Sequence, residues 1–325
     1  MTEGSSNIVL YIGGEGRSGS TLLSALIGRY DGFFPVGELR GVWQALRTNE
    51  LCGCGEAFDR CPFWREVGRA AFGGWERVDL ERTLLLDASY ARHRFVGRLV
   101  VPHLRRQHRA PIEELTSMLS SLYLAVQSVS GCRVIVDSTK DPAYALLLKE
   151  VGDLDLRLVH LVRDSRAVAY AWTKTQVARP EYAGHPTLAG TFMTSRAPWR
   201  AALEWDAKNA LIHWLGAAGI PRLLIRYESF TADPDAGLRR ILAFAGERDA
   251  APIPGVTGQA AAKQYPSLPH HTVGGNRIRF DRGTVEVRSD REWQQSMGRS
   301  ERAVVGALTL PLLLAYGYLG PTGRG

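Results

Sequence analysis

The sequence predicts an α/β fold in which helices cover both faces of a central parallel sheet. Two patterns support this prediction: short apolar runs, each followed by helical periodicity, and a glycine-rich turn after the first run. Right-handed crossovers would place the strands side by side, with their carboxyl ends along one edge. A chain of 325 residues is long enough to bury such a core, and we expect a single domain over residues 1–325.

Four apolar runs are the strand candidates, at residues 8–13, 133–137, 157–162 and 223–227. Between the first two runs, residues 76–130 have the pattern of amphipathic helices interrupted at Pro102 and Pro111, which predicts a helical insertion. Residues 255–288 are rich in Gly, Pro, His and Arg and are expected to form a loop.

Composition restricts the possible environment and partners. No run of 18 uncharged apolar residues occurs and no secretory signal is visible, so we expect no membrane span and a cytoplasmic location. A net charge of +7 suits a polyanionic small molecule or nucleic acid. No motif interleaves aromatic and basic residues, so nucleic acid is not an expected partner. The sequence does not indicate an oligomeric state.

The turn after the first predicted strand has the composition of a phosphate-binding loop. Its glycines allow close backbone approach, and the first N–H groups of the following helix would point at an anion. Ser20 stands where a nucleotide triphosphatase carries its P-loop lysine, and the nearest cation is Arg17. The loop is therefore poorly suited to a γ-phosphate with magnesium. The alternative is a tight turn that binds no ligand.

The stretch from Gly16 to Leu23, with the sequence GRSGSTLL, resembles the 5′-phosphosulfate loop of sulfotransferases that use 3′-phosphoadenosine 5′-phosphosulfate (PAPS). The similarity is to bacterial relatives of the tyrosylprotein and carbohydrate types. The resemblance implies a P-loop-like three-layer sandwich with a central parallel sheet. It also implies donor contacts from the loop residues Gly16, Arg17, Ser18, Gly19, Ser20 and Thr21.

Three later segments are similar to the same family and occur in its order. Arg163, at a predicted strand end, matches the arginine that contacts the donor 3′-phosphate, but the serine expected eight residues later is Ala171. Tyr227 matches a tyrosine placed near adenine. The late glycine-rich segment matches the part of the family that closes over the nucleotide; there the resemblance implies contacts from Gly275, Asn276, Arg277 and Arg279, with Arg279 preferred. The alternatives are a helix-start ion pair for Arg163, a buried aromatic for Tyr227 and a solvated basic turn for Arg277.

Sulfuryl transfer needs a base for the acceptor hydroxyl and cations near the reacting sulfur. The resemblance implies that Glu38 is the base, and its apolar sequence neighbours would raise its pKa through desolvation. Lys140, at the end of the second predicted strand, and Arg17 would offset charge on the sulfuryl group and the leaving phosphate. The alternatives are a carboxylate that stabilises a helix start for Glu38 and a turn ion pair for Lys140.

The resemblance therefore implies a PAPS-dependent sulfotransferase that yields adenosine 3′,5′-bisphosphate and sulfates a hydroxyl of a small-molecule, sugar or lipid acceptor. This chemistry requires no metal. The alternative functions are a P-loop-type nucleotide-dependent kinase and an inactive nucleotide-binding relative. The acceptor pocket is expected from the helical insertion and residues 173–198, and the acceptor itself is not indicated.

Three of the four cysteines, Cys52, Cys54 and Cys61, form a cluster in the sequence. A zinc site would need a fourth ligand, and none is obvious nearby. Metal binding, a disulfide and a plain Cys-rich loop remain open, the plain loop being favoured.

Overall fold

A five-stranded parallel sheet forms the centre of the molecule, with the strand order β2-β3-β1-β4-β5. The computed structural model describes residues 7–174, 179–182, 188, 192–247, 256–257, 263–266, 270–281 and 284–319. The strands are β1 (Asn7–Gly13), β2 (Phe33–Gly37), β3 (Val134–Lys140), β4 (Leu154–Val162) and β5 (Arg222–Arg226). Helices lie on both faces, so the predicted α/β fold with a central parallel sheet is confirmed.

Strand β2 was missed by the sequence prediction, which has no strand between residues 13 and 133. It is short and contains Pro35, which removes a backbone donor and is typical of a loop. The strand lies at the edge of the sheet, where a proline is tolerated because only one side must pair. This strand places Glu38 at the carboxyl edge of the sheet.

The helices between β1 and β3 begin earlier than the predicted insertion. Pro102 begins a helix and Pro111 lies in the first turn of a 22-residue helix, so neither interrupts one. The helices are α1 (Ser20–Ile27), α2 (Val42–Thr48), α3 (Pro62–Phe72), α4 (Leu80–Tyr90), α5 (Val96–Val100), α6 (Pro102–Gln107), α7 (Arg109–Ser130), α8 (Pro142–Lys149), α9 (Ser165–Thr173), α10 (Pro198–Ala217), α11 (Tyr227–Ala232), α12 (Pro234–Phe244), α13 (Glu292–Ser296), α14 (Arg299–Leu308) and α15 (Leu310–Ala315).

Two apolar layers hold the sheet between the helices. On one face, strand residues such as Val9 and Tyr11 pack with Leu119 of α7 and Leu147 of α8. On the other face, Leu10 and its alternate neighbours pack against α1 and α12. The alternation assigns successive β1 residues to opposite layers, as expected for a strand buried on both sides.

Residues 255–288 are not simply a loop, contrary to the prediction. They contribute a small antiparallel sheet of β6 (Val256–Thr257), β7 (Lys263–Pro266) and β8 (Thr284–Val287), with a 3₁₀ turn at Arg277–Phe280. The strands are too short to show a clear alternation in the sequence. Of the helices that the structure describes, none combines the length and apolarity needed to cross a bilayer.

Candidate active site

A crevice of about 1140 Å³ opens at the carboxyl edge of the parallel sheet. Its walls come from the loop after β1, the residues that follow β2, β3 and β4, and the late segment from residue 274 onward. Open parallel sheets bind ligands at this edge because the strand ends and the helix N-termini converge there.

The loop between β1 and α1 is shaped by glycines. Gly14 has a φ of 147°, and a Cβ there would lie 2.4 Å from the carbonyl oxygen of Leu161. Gly19 has a φ of 92° and precedes α1; a Cβ there would meet the ring of Tyr227 at 2.7 Å. Gly16, Gly19, Ser20 and Thr21 line the crevice, whereas Ser18 is buried and does not. The unpaired N–H groups of the first turn of α1 therefore begin at the crevice.

Arg17 is a cation without a carboxylate partner within ion-pair distance among the described residues. Its guanidinium lies 4.9 Å from the centroid of the Trp172 ring and contacts Met193 Sδ at 3.4 Å. Burial, followed by the nearby Arg196 guanidinium, lowers the pKa of Arg17. Its backbone has a φ of 68°, a left-handed conformation that is uncommon for a residue with a side chain. A half-buried, partly desolvated guanidinium in this state favours an anionic ligand.

Glu38 and Lys140 meet across the crevice edge. The Lys140 ammonium contacts Glu38 Oε1 and donates a 2.8 Å hydrogen bond to the carbonyl oxygen of Ser138. The Glu38 side chain is 32% exposed and ion-paired, so it does not have the apolar setting expected from its sequence neighbours. Lys140 also has a positive φ, 74°. Such backbone strain persists where the surrounding structure enforces it, often at functional sites.

Strand β3 fixes the turn that carries Glu38. Asp137 is fully buried; it accepts a hydrogen bond from the Tyr123 hydroxyl and, at 2.7 Å, one from the backbone N–H of Thr139. Its burial raises its pKa to about 6. Ser138 Oγ donates to the carbonyl oxygen of Gly37 at 2.9 Å. These polar groups hold the ends of β2 and β3 together, which keeps Glu38 and Lys140 in contact.

Arg163 lies at the crevice but has partners. Its guanidinium donates to the carbonyl oxygen of Arg17 at 3.0 Å and to Asp290 Oδ2 at 2.9 Å, and it lies 4.7 Å from the ring centroid of Tyr227. The structure therefore brings together Arg163, Tyr227 and the glycine loop, as the resemblance implied. Ala171 also lines the crevice, so the expected serine hydroxyl is missing at that position.

The late segment, which comprises residues 270–281, pairs with the outer edge of β2. The backbone N–H of Glu38 donates to the carbonyl oxygen of Val273 at 2.7 Å, and Val273 N–H donates to the carbonyl oxygen of Val36 at 3.0 Å. Asn276 N–H donates to Thr21 Oγ1 at 3.3 Å, which brings Gly275 and Asn276 beside the start of α1. Both residues line the crevice.

Arg279, the preferred late contact in the sequence analysis, does not line the crevice. It is 3% exposed, donates to the carbonyl oxygen of Thr272 at 2.8 Å and lies 3.7 Å from Glu50 Oε1. Burial lowers its pKa. The structure thus places Arg279 inside the segment, where it stabilises the local chain. The side chain of Arg277 lies outside the described part of the structure.

Several crevice residues were missed by the sequence analysis. Glu15 is buried within the glycine loop and pairs with Lys208 at 2.6 Å and with Arg196 at 3.5 Å. Arg196 lies 3.9 Å from the Trp172 ring centroid, so this ring is close to two guanidinium groups. Lys208 belongs to α10, where no sequence motif distinguishes it from the other charged residues of the helix. The sequence offered one signal for these residues, which is that the acidic Glu15 lies inside a loop of phosphate-binding composition.

A family model and a solved structure are similar to this chain. A family model described as "Sulfotransferase family" matches residues 10–250. Among solved structures, the chain is similar to the sulfotransferase domain from the Synechococcus PCC 7002 olefin synthase, at 18% sequence identity and a TM-score of 0.52. That match covers 97% of this chain and 96% of that domain. At this level of sequence identity it shows a shared fold. No curated protein matches. Since the family model spans residues 10–250 of 325, this chain belongs to the sulfotransferase family.

Proposed function

We propose that this protein transfers a sulfuryl group from PAPS to a hydroxyl of a small-molecule, sugar or lipid acceptor. One observation carries the proposal. A glycine loop whose arginine has no carboxylate within ion-pair distance, as far as the structure describes the chain, opens into the same crevice as the contacting pair Glu38 and Lys140. The crevice thus combines an anion cradle, a cation and a carboxylate, which are the groups that this transfer requires.

The glycine loop is the proposed site of the 5′-phosphosulfate. Backbone N–H groups at the start of α1 and the guanidinium of Arg17 would hold its oxygens. Ser20 and Thr21 line the crevice and would add hydroxyl donors. The absence of a lysine at position 20 argues against a γ-phosphate with magnesium as the ligand.

The proposed 3′-phosphate contact is Arg163, and the proposed adenine neighbour is Tyr227. Arg163 pairs with Asp290 through Nη2, so a phosphate would bind beside that carboxylate or replace it on the guanidinium. Gly275 and Asn276 would form the wall beside the loop. Arg279 contributes to this proposal only by stabilising that wall, because it is buried behind it.

In the proposed reaction, the acceptor oxygen attacks sulfur while the bond from sulfur to the 5′-phosphate oxygen breaks. Lys140 contacts Oε1 of Glu38, and Oε2 would accept the proton from the acceptor hydroxyl. Lys140 and Arg17 would offset negative charge on the sulfuryl oxygens and on the leaving phosphate. The products are the sulfated acceptor and adenosine 3′,5′-bisphosphate.

Thermal shift tests the donor and labelled PAPS tests the reaction. We expect adenosine 3′,5′-bisphosphate to raise the melting temperature and ATP with magnesium to have a much smaller effect. Transfer of label from PAPS to a panel of sugars, lipids and aromatic alcohols would identify the acceptor class. Stabilisation by ATP with magnesium alone would favour a kinase. Stabilisation by the bisphosphate with no transfer to any acceptor class would favour an inactive relative.

A further inference from the structure

Three cysteines and one histidine meet outside the crevice. Cys52, Cys54 and Cys61 lie between α2 and α3, and His271 comes from the late segment. Their sulfur and ring nitrogen atoms all lie within 4.8 Å of one another. Cys52 and Cys61 are buried, whereas Cys54 and His271 are half-buried. The fold thus supplies the fourth side chain that the sequence could not indicate, because His271 is distant along the chain.

Four of the six separations between these atoms are close to those of a tetrahedral site. Cys61 Sγ lies 3.7 Å from Cys52 Sγ and 3.8 Å from Cys54 Sγ. His271 Nδ1 lies 3.3 Å from Cys61 Sγ and 3.8 Å from Cys52 Sγ. Tetrahedral zinc with Zn–S bonds of about 2.3 Å and Zn–N bonds of about 2.0 Å places its ligand atoms roughly 3.5–3.8 Å apart. All four cysteines of the chain are free thiols in the structure.

The surroundings orient these side chains as a ligand set requires. The cysteine loop is folded into a tight turn, in which Cys52 N–H donates to the carbonyl oxygen of Glu56 at 2.8 Å and Gly55 N–H donates to the carbonyl oxygen of Cys52 at 2.8 Å. The His271 ring stacks on Phe63, with centroids 5.0 Å apart and an interplanar angle of 14°. Contacts of this kind around a metal site fix the orientation of its ligands.

The two chain segments that carry the four side chains are already in close contact. Gly53 N–H donates to the carbonyl oxygen of Thr272 at 2.9 Å. A Cβ at Gly53 would lie 2.4 Å from Nδ1 of His270, so only glycine allows this approach without rearrangement. The backbone thus brings His271 to the cysteines without a further change of fold.

We propose that Cys52, Cys54, Cys61 and His271 bind one Zn²⁺ ion as a closed structural site. Four protein ligands of the N/S type fit zinc and leave no open position for a substrate, so the ion would stabilise the fold and take no part in sulfuryl transfer. It would join the cysteine loop to the segment that reaches the crevice at Gly274–Asn276. The proposal does not depend on the identity of the donor or the acceptor.

Metal analysis of the purified full-length protein tests the site. The protein is prepared in reducing buffer without chelator, and zinc is measured by mass spectrometry. We expect about one zinc per chain in the parent protein. Cys54→Ser and His271→Gln should lose most of it. Cys132→Ser, which changes a buried cysteine outside the cluster, and His270→Gln, which changes the adjacent histidine, should retain it.

A second measurement does not depend on the variants being folded. The parent protein, freed of metal and then given Co²⁺ under reducing conditions, should show the intense visible absorption of tetrahedral cobalt with thiolate ligands. Absence of zinc together with absence of this absorption would overturn the proposal. Equal zinc contents in Cys54→Ser, His271→Gln and the two controls would also overturn it.

Discussion

Arg17 and Arg279 occur in similar glycine-rich stretches of the sequence, but their surroundings in the structure differ. Arg17 lies at the crevice, beside an aromatic ring and without a carboxylate partner among the described residues. Arg279 is buried, donates to the carbonyl oxygen of Thr272 and lies near Glu50. Burial lowers the pKa of both arginines. The two arginines differ in the partner of the guanidinium, which the sequence motif does not specify, and this difference is the reason we propose a ligand contact for Arg17 and a structural role for Arg279.

We expect the largest effect, on the rate of sulfuryl transfer, from the crevice variant Glu38→Gln. The amide keeps the shape of the side chain but removes its basicity, so we expect sulfuryl transfer to fall about 100-fold or more. Affinity for adenosine 3′,5′-bisphosphate should stay close to that of the parent protein. Single-turnover transfer from labelled PAPS and calorimetry of bisphosphate binding measure the two quantities.

Glu113→Gln is the control for this variant, because Glu113 is exposed on α7 and pairs with Arg109. It should leave both quantities unchanged. Near-normal transfer in Glu38→Gln would remove Glu38 as the base. Loss of both binding and transfer would assign it a structural role through its contact with Lys140.

Arg279→Met tests whether Arg279 contributes to the stability of the fold. The change leaves Glu50 buried without its cation, and breaking a buried pair of this kind costs about 3 kcal/mol of unfolding free energy. Urea denaturation measures the loss. Arg109→Met, at an exposed pair, should change stability by roughly 0.5 kcal/mol or less. Unchanged stability with much weaker bisphosphate binding would return Arg279 to the ligand-facing group.

Arg17→Gly removes the guanidinium while suiting the left-handed backbone at this position. We expect PAPS affinity and transfer rate to fall together, by about 10- to 100-fold, since the lost contact is a charge-assisted hydrogen bond to the transferred group. Arg17→Ala should show the same loss of affinity and transfer rate. It should melt at a lower temperature than Arg17→Gly, because a residue with a Cβ atom is strained at this left-handed φ. Parent-like transfer in both variants would contradict the role given to Arg17.

An effect that is small near neutral pH and grows on acidification is expected from His160, a buried polar group of the fold. Its Nε2 lies 2.8 Å from Asn209 Oδ1 and its Nδ1 lies 3.0 Å from Arg222, while burial lowers its pKa to about 3. Between pH 6.5 and 3 the unfolded chain binds a proton that the folded protein does not. The contribution of His160 to the free energy of unfolding is therefore complete above pH 6.5. Below that pH the free energy of unfolding falls by about 1.4 kcal/mol per pH unit because of this group.

Urea denaturation at several pH values measures this dependence. His160→Gln should show a shallower loss of stability on acidification than the parent protein, whereas His103→Gln, at an exposed histidine of α6, should show the parent slope. Identical slopes in all three proteins would mean that His160 can take up a proton in the folded state.

The parallel sheet could be predicted wherever its strands are continuous apolar runs. Strands β1, β3, β4 and β5 have this pattern and were found to within a few residues, and the three central strands among them, β1, β3 and β4, have helices on both faces. Strand β2 contains a proline and lies at the edge, so its sequence is that of a loop. The helical starts at Pro62 and Pro102 show that proline marks the first turn of a helix as readily as its end.

The site could be predicted in part because strand ends converge at one edge of the sheet. That rule, together with the resemblance, brought Arg17, Glu38, Lys140, Arg163 and Tyr227 to one crevice, and all five line it. The contact between Glu38 and Lys140 depends on the unpredicted strand β2. The burial of Arg279 and the meeting of His271 with the cysteines depend on how the late segment packs, for which the sequence has no local signal.

The backbone hydrogen bonds between Val273 and the end of β2 have a consequence for biosynthesis. Strands β1 to β5 can pair on a ribosome as soon as they emerge, since their contacts need only the first 226 residues. The wall at Gly274–Asn276 cannot join them until residue 273 has left the exit tunnel. Until then the outer edge of β2 is unpaired and open to other strands. A nascent chain would therefore have a sheet before it has a complete crevice, and competence to bind the donor would arise late in translation.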